Sequence, residues 1–104
     1  MILREQDCGK VINLYVGDVF QVELRGLGVA EFRWHVDRLD LEYVELLSEE
    51  IRVLSERESG GPVWSIWTFR VKKKGRTEIE MDYLQQREGI GEAKDRFWLN
   101  ISIE

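Results

Sequence analysis

Strict alternation of apolar and polar residues recurs along this sequence. It constrains the fold more than any other feature, because only a β-strand sends successive side chains to opposite faces. The clearest run is Arg76 to Tyr83, where Thr77, Ile79, Met81 and Tyr83 fall on one phase and Arg76, Glu78, Glu80 and Asp82 on the other. Phe97, Leu99, Ile101 and Ile103 alternate with Trp98, Asn100 and Ser102. The same pattern sets Phe20, Val22 and Leu24 against Gln21 and Glu23, and Trp67, Phe69 and Val71 against Thr68 and Arg70. It also sets Phe32, Trp34 and Val36 against Arg33, His35 and Asp37. Each run reads as a strand with one face turned to a core. Weaker strands are predicted at Val11 to Tyr15, closed by the turn residues Val16, Gly17 and Asp18, and at Ile51 to Leu54. Between Leu39 and Glu50 the pattern is mixed, since Tyr43, Leu46 and Leu47 suit a helical spacing while Glu49 and Glu50 suit a loop. That segment is read as a short irregular strand and loop.

Strands of this kind, each with one greasy face, must cover one another, so an all-β sandwich of two antiparallel sheets is expected. The 104 residues leave room for one domain, 1–104, and the 43% hydrophobic and 11% aromatic content is enough for one core. A formal charge of −5 repels polyphosphate, so neither nucleic acid nor an anionic membrane is expected as a partner. The basic run Lys72, Lys73, Lys74 and Arg76 surrounds Gly75 between two strands and reads as a solvated hairpin turn. There is no stretch of 18 apolar residues, and Arg4, Glu5, Gln6 and Asp7 stand where an export signal would be apolar; a cytoplasmic protein is expected. The lone Cys8 excludes an intrachain disulfide, and the chain is read as a monomer.

Little here can do covalent chemistry. One histidine, His35, and one cysteine cannot supply a zinc site of nitrogen and sulfur ligands, and no metal or other cofactor is expected. Gly26, Leu27 and Gly28 lack the third glycine and following helix of a dinucleotide site, and no glycine-framed serine occurs. Twenty acidic residues could place two carboxylates together by chance, but a thin sandwich rarely offers the cleft a hydrolase needs. The chain is therefore not read as an enzyme. Of its four tryptophans, Trp34 and Trp67 fall on inward phases and read as core, and Trp98 falls outward and reads as folded over a sheet edge. Trp64, beside Gly60, Gly61 and Pro62, reads as an interface residue. Three glycine-bearing connections, Arg25 to Glu31, Glu58 to Val63 and Leu84 to Lys94, are the natural binding loops of such a scaffold.

Four stretches resemble the chagasin-like inhibitors of papain-type cysteine proteases: Gly17 to Leu24; Phe32, Arg33 and Trp34; Ile66 to Val71, which contains Trp67, Thr68 and Phe69; and Gly75 to Tyr83. Order and spacing agree over nearly the whole chain. The resemblance implies an immunoglobulin-like antiparallel β-sandwich of seven to eight strands whose three end loops enter the active-site cleft of a papain-like cysteine protease and block it reversibly. Carried over by position, the first loop falls on Leu27, Gly28, Val29, Ala30 and Glu31, where the family has Asn-Pro-Thr-Thr-Gly. The second falls on Glu58, Ser59, Gly60 and Gly61, which keep the last two residues of Gly-any-Gly-Gly. The third falls on Gln85, Gln86 and Arg87, where the family has Arg-Pro-Trp. A scaffold kept while its contact motifs change leaves two readings open: a divergent inhibitor, or a non-inhibitory immunoglobulin-like protein-interaction module.

Overall fold

The alternating segments pair into two four-stranded sheets. The structure, a computed structural model, describes residues 1–26, 32–53, 63–85 and 95–104. Sheet A has the order β1-β3-β6-β5, formed by Ile2–Leu3, Val19–Gly26, Val63–Val71 and Val44–Val53. Sheet B has the order β2-β8-β7-β4, formed by Val11–Leu14, Asp95–Ile103, Gly75–Gln85 and Phe32–Arg38. Registers in the middle of each sheet put core residues side by side: Phe20 faces Phe69 and Val22 faces Trp67 across β3 and β6, while Ile79 faces Leu99 and Met81 faces Phe97 across β7 and β8. The Phe20 and Phe69 rings stack at 5.3 Å. Val22, Leu24, Trp67, Phe69, Ile79, Met81 and Leu99 are wholly buried, each contributing about 1.5–3 kcal/mol of hydrophobic stabilisation. The phases read from the sequence thus identify the core, with Trp34 and Trp67 both inside it. Thr77, on the inward phase, is half-buried at the sheet's end.

Three features depart from the sequence reading. The segment taken as irregular strand, loop and second strand is one ten-residue strand, β5, entered through a turn at 41–43. A register shift between Leu46 and Ser48 interrupts its pairing with β6, and a bulge of that kind breaks the period-two pattern. The second departure lies at the amino terminus, where β1 and a single 3-10 turn at Glu5–Asp7 precede β2. Third, β1 pairs with β3 and β2 with β8 in parallel, so the sandwich is antiparallel except at these two edge pairs.

Residues 4–10 carry the chain from sheet A to sheet B. The Asp7 carboxylate accepts the Arg4 backbone N–H at 3.0 Å, and Arg4 Nη2 reaches Glu23 at 3.2 Å on β3. Gly9, with φ +81°, donates its N–H to the Trp98 carbonyl at 2.8 Å, and a Cβ on it would meet the Trp98 indole at 3.4 Å. Trp98, 43% exposed on the outward face of the inner strand β8, is covered along one side by this crossing segment and does not lie over a sheet edge. Cys8 is half-buried here as a free thiol. At the 72–74 turn, Lys72 donates to the Leu41 carbonyl at 2.9 Å and Lys73 pairs with Glu42 at 2.6 Å, so part of the basic run fastens the turn at 41–43. No helix among the described residues is long and apolar enough to cross a membrane.

Candidate functional site

The strand ends decide where the three glycine-bearing connections lie. Gly26 at the end of β3 faces Val63 at the start of β6, and Val53 at the end of β5 faces the same Val63. In sheet B, Phe32 at the start of β4 faces Gln85 at the end of β7, and Asp95 at the start of β8 faces Tyr83. Only five residues join Gly26 to Phe32, a span of at most about 22 Å, so these two groups of strand ends belong to the same end of the sandwich. All three connections leave from it.

That end is held by a small polar and aromatic assembly. Trp34, 4% exposed, donates its indole N–H to the Arg25 carbonyl at 3.2 Å, tying β4 of sheet B to β3 of sheet A. Its ring packs on Tyr83 at 5.1 Å between centroids and a 48° tilt. Gly26 lies over the same tyrosine, with Tyr83 Cε1 3.5 Å from where its Cβ would be. The Arg25 backbone N–H donates to Glu5 Oε1 at 2.6 Å, so the 3-10 turn also anchors the end of β3. Trp34 and Tyr83 read from sequence as core residues only; their added work at the loop end shows in the pairing of two sheets, which no single strand pattern encodes.

Two of the residues assigned from sequence to the binding end, Trp64 and Gln85, lie within the described structure. Trp64 is the second residue of β6 and not part of a loop; it is half-buried on the outer face of sheet A, opposite Arg25 and Arg52. The Arg4 guanidinium stands 5.9 Å from its ring centroid, a cation–π distance. Gln85 is the last residue of β7. Leu27, Gly28, Val29, Ala30, Glu31, Glu58, Ser59, Gly60, Gly61, Gln86 and Arg87 lie outside the described residues. Arg25, Arg33, Arg52 and Arg96 stand exposed near the strand ends flanking the connections. His35 is half-buried on the outer face of sheet B, opposite Asp82. Cys8, whose Sγ lies 3.9 Å from the Arg96 carbonyl, has no histidine beside it in sequence. Among the described residues no nucleophile is poised by a base; what the arrangement offers is a braced platform at the roots of the three connections.

A family profile described as "Chagasin family peptidase inhibitor I42" matches residues 13–101. The structure is similar to that of the cysteine protease inhibitor EhICP2 from Entamoeba histolytica, with a TM-score of 0.88 at 18% identity over 99% of this chain and 94% of that one. PbICP-C, whose structure is in complex with falcipain-2, aligns with a TM-score of 0.72 at 13% identity, covering 99% of this chain and 98% of its own. The ICP of Leishmania mexicana aligns at 0.65 and 20% identity over 94% of this chain and 90% of that one. At such identities the likeness is one of fold. No curated protein matches the chain in sequence at a significant level.

Proposed function

The chain belongs to the chagasin family of peptidase inhibitors, and from that premise we propose that it reversibly inhibits papain-like cysteine proteases by placing residues 27–31, 58–61 and 85–87 in the active-site cleft. The observation that carries this reading is the convergence of all three connections on one braced end of the sandwich. Inhibition of this kind needs no reaction. Loops that fill the cleft exclude substrate from the protease thiolate, and the inhibitor dissociates intact.

Affinity then depends on how little order must be gained on binding. The Trp34 to Arg25 hydrogen bond, the Trp34–Tyr83 contact and the Glu5 anchor fix the strand ends before any encounter, which lowers the entropic cost of association. In the first loop Leu27, Val29 and Ala30 are small and apolar enough to enter a narrow groove, and in the second Gly60 and Gly61 allow close backbone approach. Gln85, Gln86 and Arg87 give the third contact polar and cationic character, and Trp64 flanks the second loop from sheet A.

Titration of the purified domain against papain and a cathepsin-type protease tests this directly, with peptide hydrolysis as readout. Loss of activity with a constant in the nanomolar to low micromolar range is expected. Replacing Val29 and Ala30 by bulky charged residues should weaken it at least tenfold, about 1.4 kcal/mol. Full protease activity at about 100 μM of the domain, some 5.5 kcal/mol of binding, overturns the proposal and leaves the interaction-module reading.

A further inference from the structure

The outer face of sheet B is hollowed along β8, at the end away from the three connections. Its floor is Asn100 and Ser102, short side chains that are half-buried. The register sets Val11 of β2 and Glu78 of β7 on either side of Asn100, and Asn13 of β2 and Arg76 of β7 on either side of Ser102. Between these two sides lies an open groove of about 620 Å³, within the range of about 300–1,000 Å³ usual for a small-molecule site.

The lining differs from an ordinary solvated strand face. On β5 that face carries the long charged chains of Glu45, Glu50 and Arg52, whereas here amides and a hydroxyl hold the centre. The sequence contains two asparagines, and both are in the groove. Asn100 donates from Nδ2 to the Gly9 carbonyl at 3.3 Å, which fixes the amide and leaves its oxygen to accept. Among the described residues, the side chains of Asn13, Ser102 and Arg76 have no hydrogen bond or ion pair. Glu78 is steadied by Arg38 at 3.6 Å from β4, on the far side of β7, and its two oxygens keep further acceptor capacity. Trp98 precedes Asn100 by two residues, so it stands next on the same face of β8, about 7 Å along the strand, and is 43% exposed.

We propose that this groove binds a neutral carbohydrate, a short chain of hexose units, with Trp98 as the stacking surface at its head. The lining makes the selection. Arg76 and Glu78 cancel in charge, so neither an anion nor a cation gains net attraction. An asparagine amide donates and accepts from one planar group, which matches the adjacent hydroxyls of a sugar ring, and Arg76, Ser102 and Glu78 extend both capacities. A pyranose also has an apolar C–H face, for which an exposed indole is a flat apolar partner. An extended peptide would need an unpaired strand edge, and β8 is paired on both sides. A glycan held here would leave the loop end free. The assignment does not depend on the protease reading, and its test uses no protease.

The whole chain, labelled with ¹⁵N, is titrated with maltotriose, cellotriose, mannotriose and N-acetylated chitotriose, following its side-chain amide and indole N–H signals. At least one of these sugars should shift the Asn13, Asn100 and Trp98 signals saturably, with half-saturation at about 0.1–10 mM. Asn13→Ala and Arg76→Gln, both at exposed positions, and Trp98→Leu should each weaken binding by about fivefold or more, while Glu50→Gln on sheet A should not. An unchanged backbone spectrum away from each substitution shows that the variants stay folded. No saturable shift with any of the sugars up to about 50 mM, or equal binding by Asn13→Ala and Arg76→Gln, overturns the assignment. So does sodium sulfate shifting the same signals at lower concentration, which would make the groove an anion site.

Discussion

Trp34→Phe is the substitution that best isolates how the loop end is braced. The change keeps an aromatic ring against Tyr83 but deletes the indole N–H that reaches the Arg25 carbonyl at 3.2 Å. Loss of that bond, with the carbonyl left in a part-buried position, costs about 1 kcal/mol. The smaller ring leaves about 40 Å³ unfilled, which at about 24 cal/mol per Å³ adds about 1 kcal/mol. A total of about 2 kcal/mol is well short of the 5–15 kcal/mol typical of a domain, so the variant should stay folded at assay temperature. Val71→Ala, buried at the opposite end beside Asp18, should cost a similar amount and serves as the comparison. Urea unfolding measures the first effect and inhibition of papain the second. Trp34→Phe should raise the inhibition constant about three- to tenfold, up to about 1.4 kcal/mol, because Arg25 and Gly26 no longer hold their take-off geometry, whereas Val71→Ala should change it less than twofold. A Trp34→Phe protein that loses under about 0.5 kcal/mol, or that inhibits as tightly as the parent, would refute the claim that this bond preorganises the end.

Trp67 should respond in the opposite sense: its Nε1 is buried and, among the described residues, unbonded. Trp67→Phe trades a lost contact of about 1 kcal/mol for removal of an unsatisfied donor worth about 1–3 kcal/mol, so urea unfolding should find it neutral to stabilised. Gly75 has φ +142° and a Cβ there would stand 2.7 Å from Tyr43 Cε1, whereas Gly17, at φ +95°, has nothing within 4 Å of such an atom. Gly75→Ala should therefore lower stability by about 2–3 kcal/mol and Gly17→Ala by about 1 kcal/mol, and equal losses would show that the Tyr43 contact is immaterial. Asp7→Asn bears on pH. The Arg4 backbone N–H, and then Lys10, lower the Asp7 pKa below 3.8, so its stabilisation is present above that value and is lost as pH falls through the lowered one. The variant should be less stable at neutral pH by under about 1 kcal/mol and match the parent in acid; a gap that persists in acid counts against the charge argument.

How much of this was legible in the residues depended on whether a segment keeps one phase. Strands β3, β6, β7 and β8 do, so Phe20, Trp67, Ile79 and Leu99 announce the core. In β5 the bulge between Leu46 and Ser48 shifts the phase, and the strand's edge position leaves Leu46, Leu47 and Ile51 exposed, so one continuous strand reads as two weaker pieces. Strand β1 has two residues, too few for any period. The binding connections carry no periodic signal at all and were placed by resemblance; what the structure adds is that their roots meet at one end.

The two parallel edge pairs set how the domain bears mechanical load. Strand β2, near the amino terminus, runs beside β8, near the carboxyl terminus, in the same direction from Val11 opposite Asn100 to Leu14 opposite Ile103. Tension applied to the two chain ends would first draw β1 and the Glu5 anchor off β3 and then slide β2 along β8, loading the hydrogen bonds of that pair together instead of peeling them one by one. Forced unfolding is governed by the unfolding barrier, so a domain tethered by both ends should yield abruptly once the bonds between β2 and β8 give way.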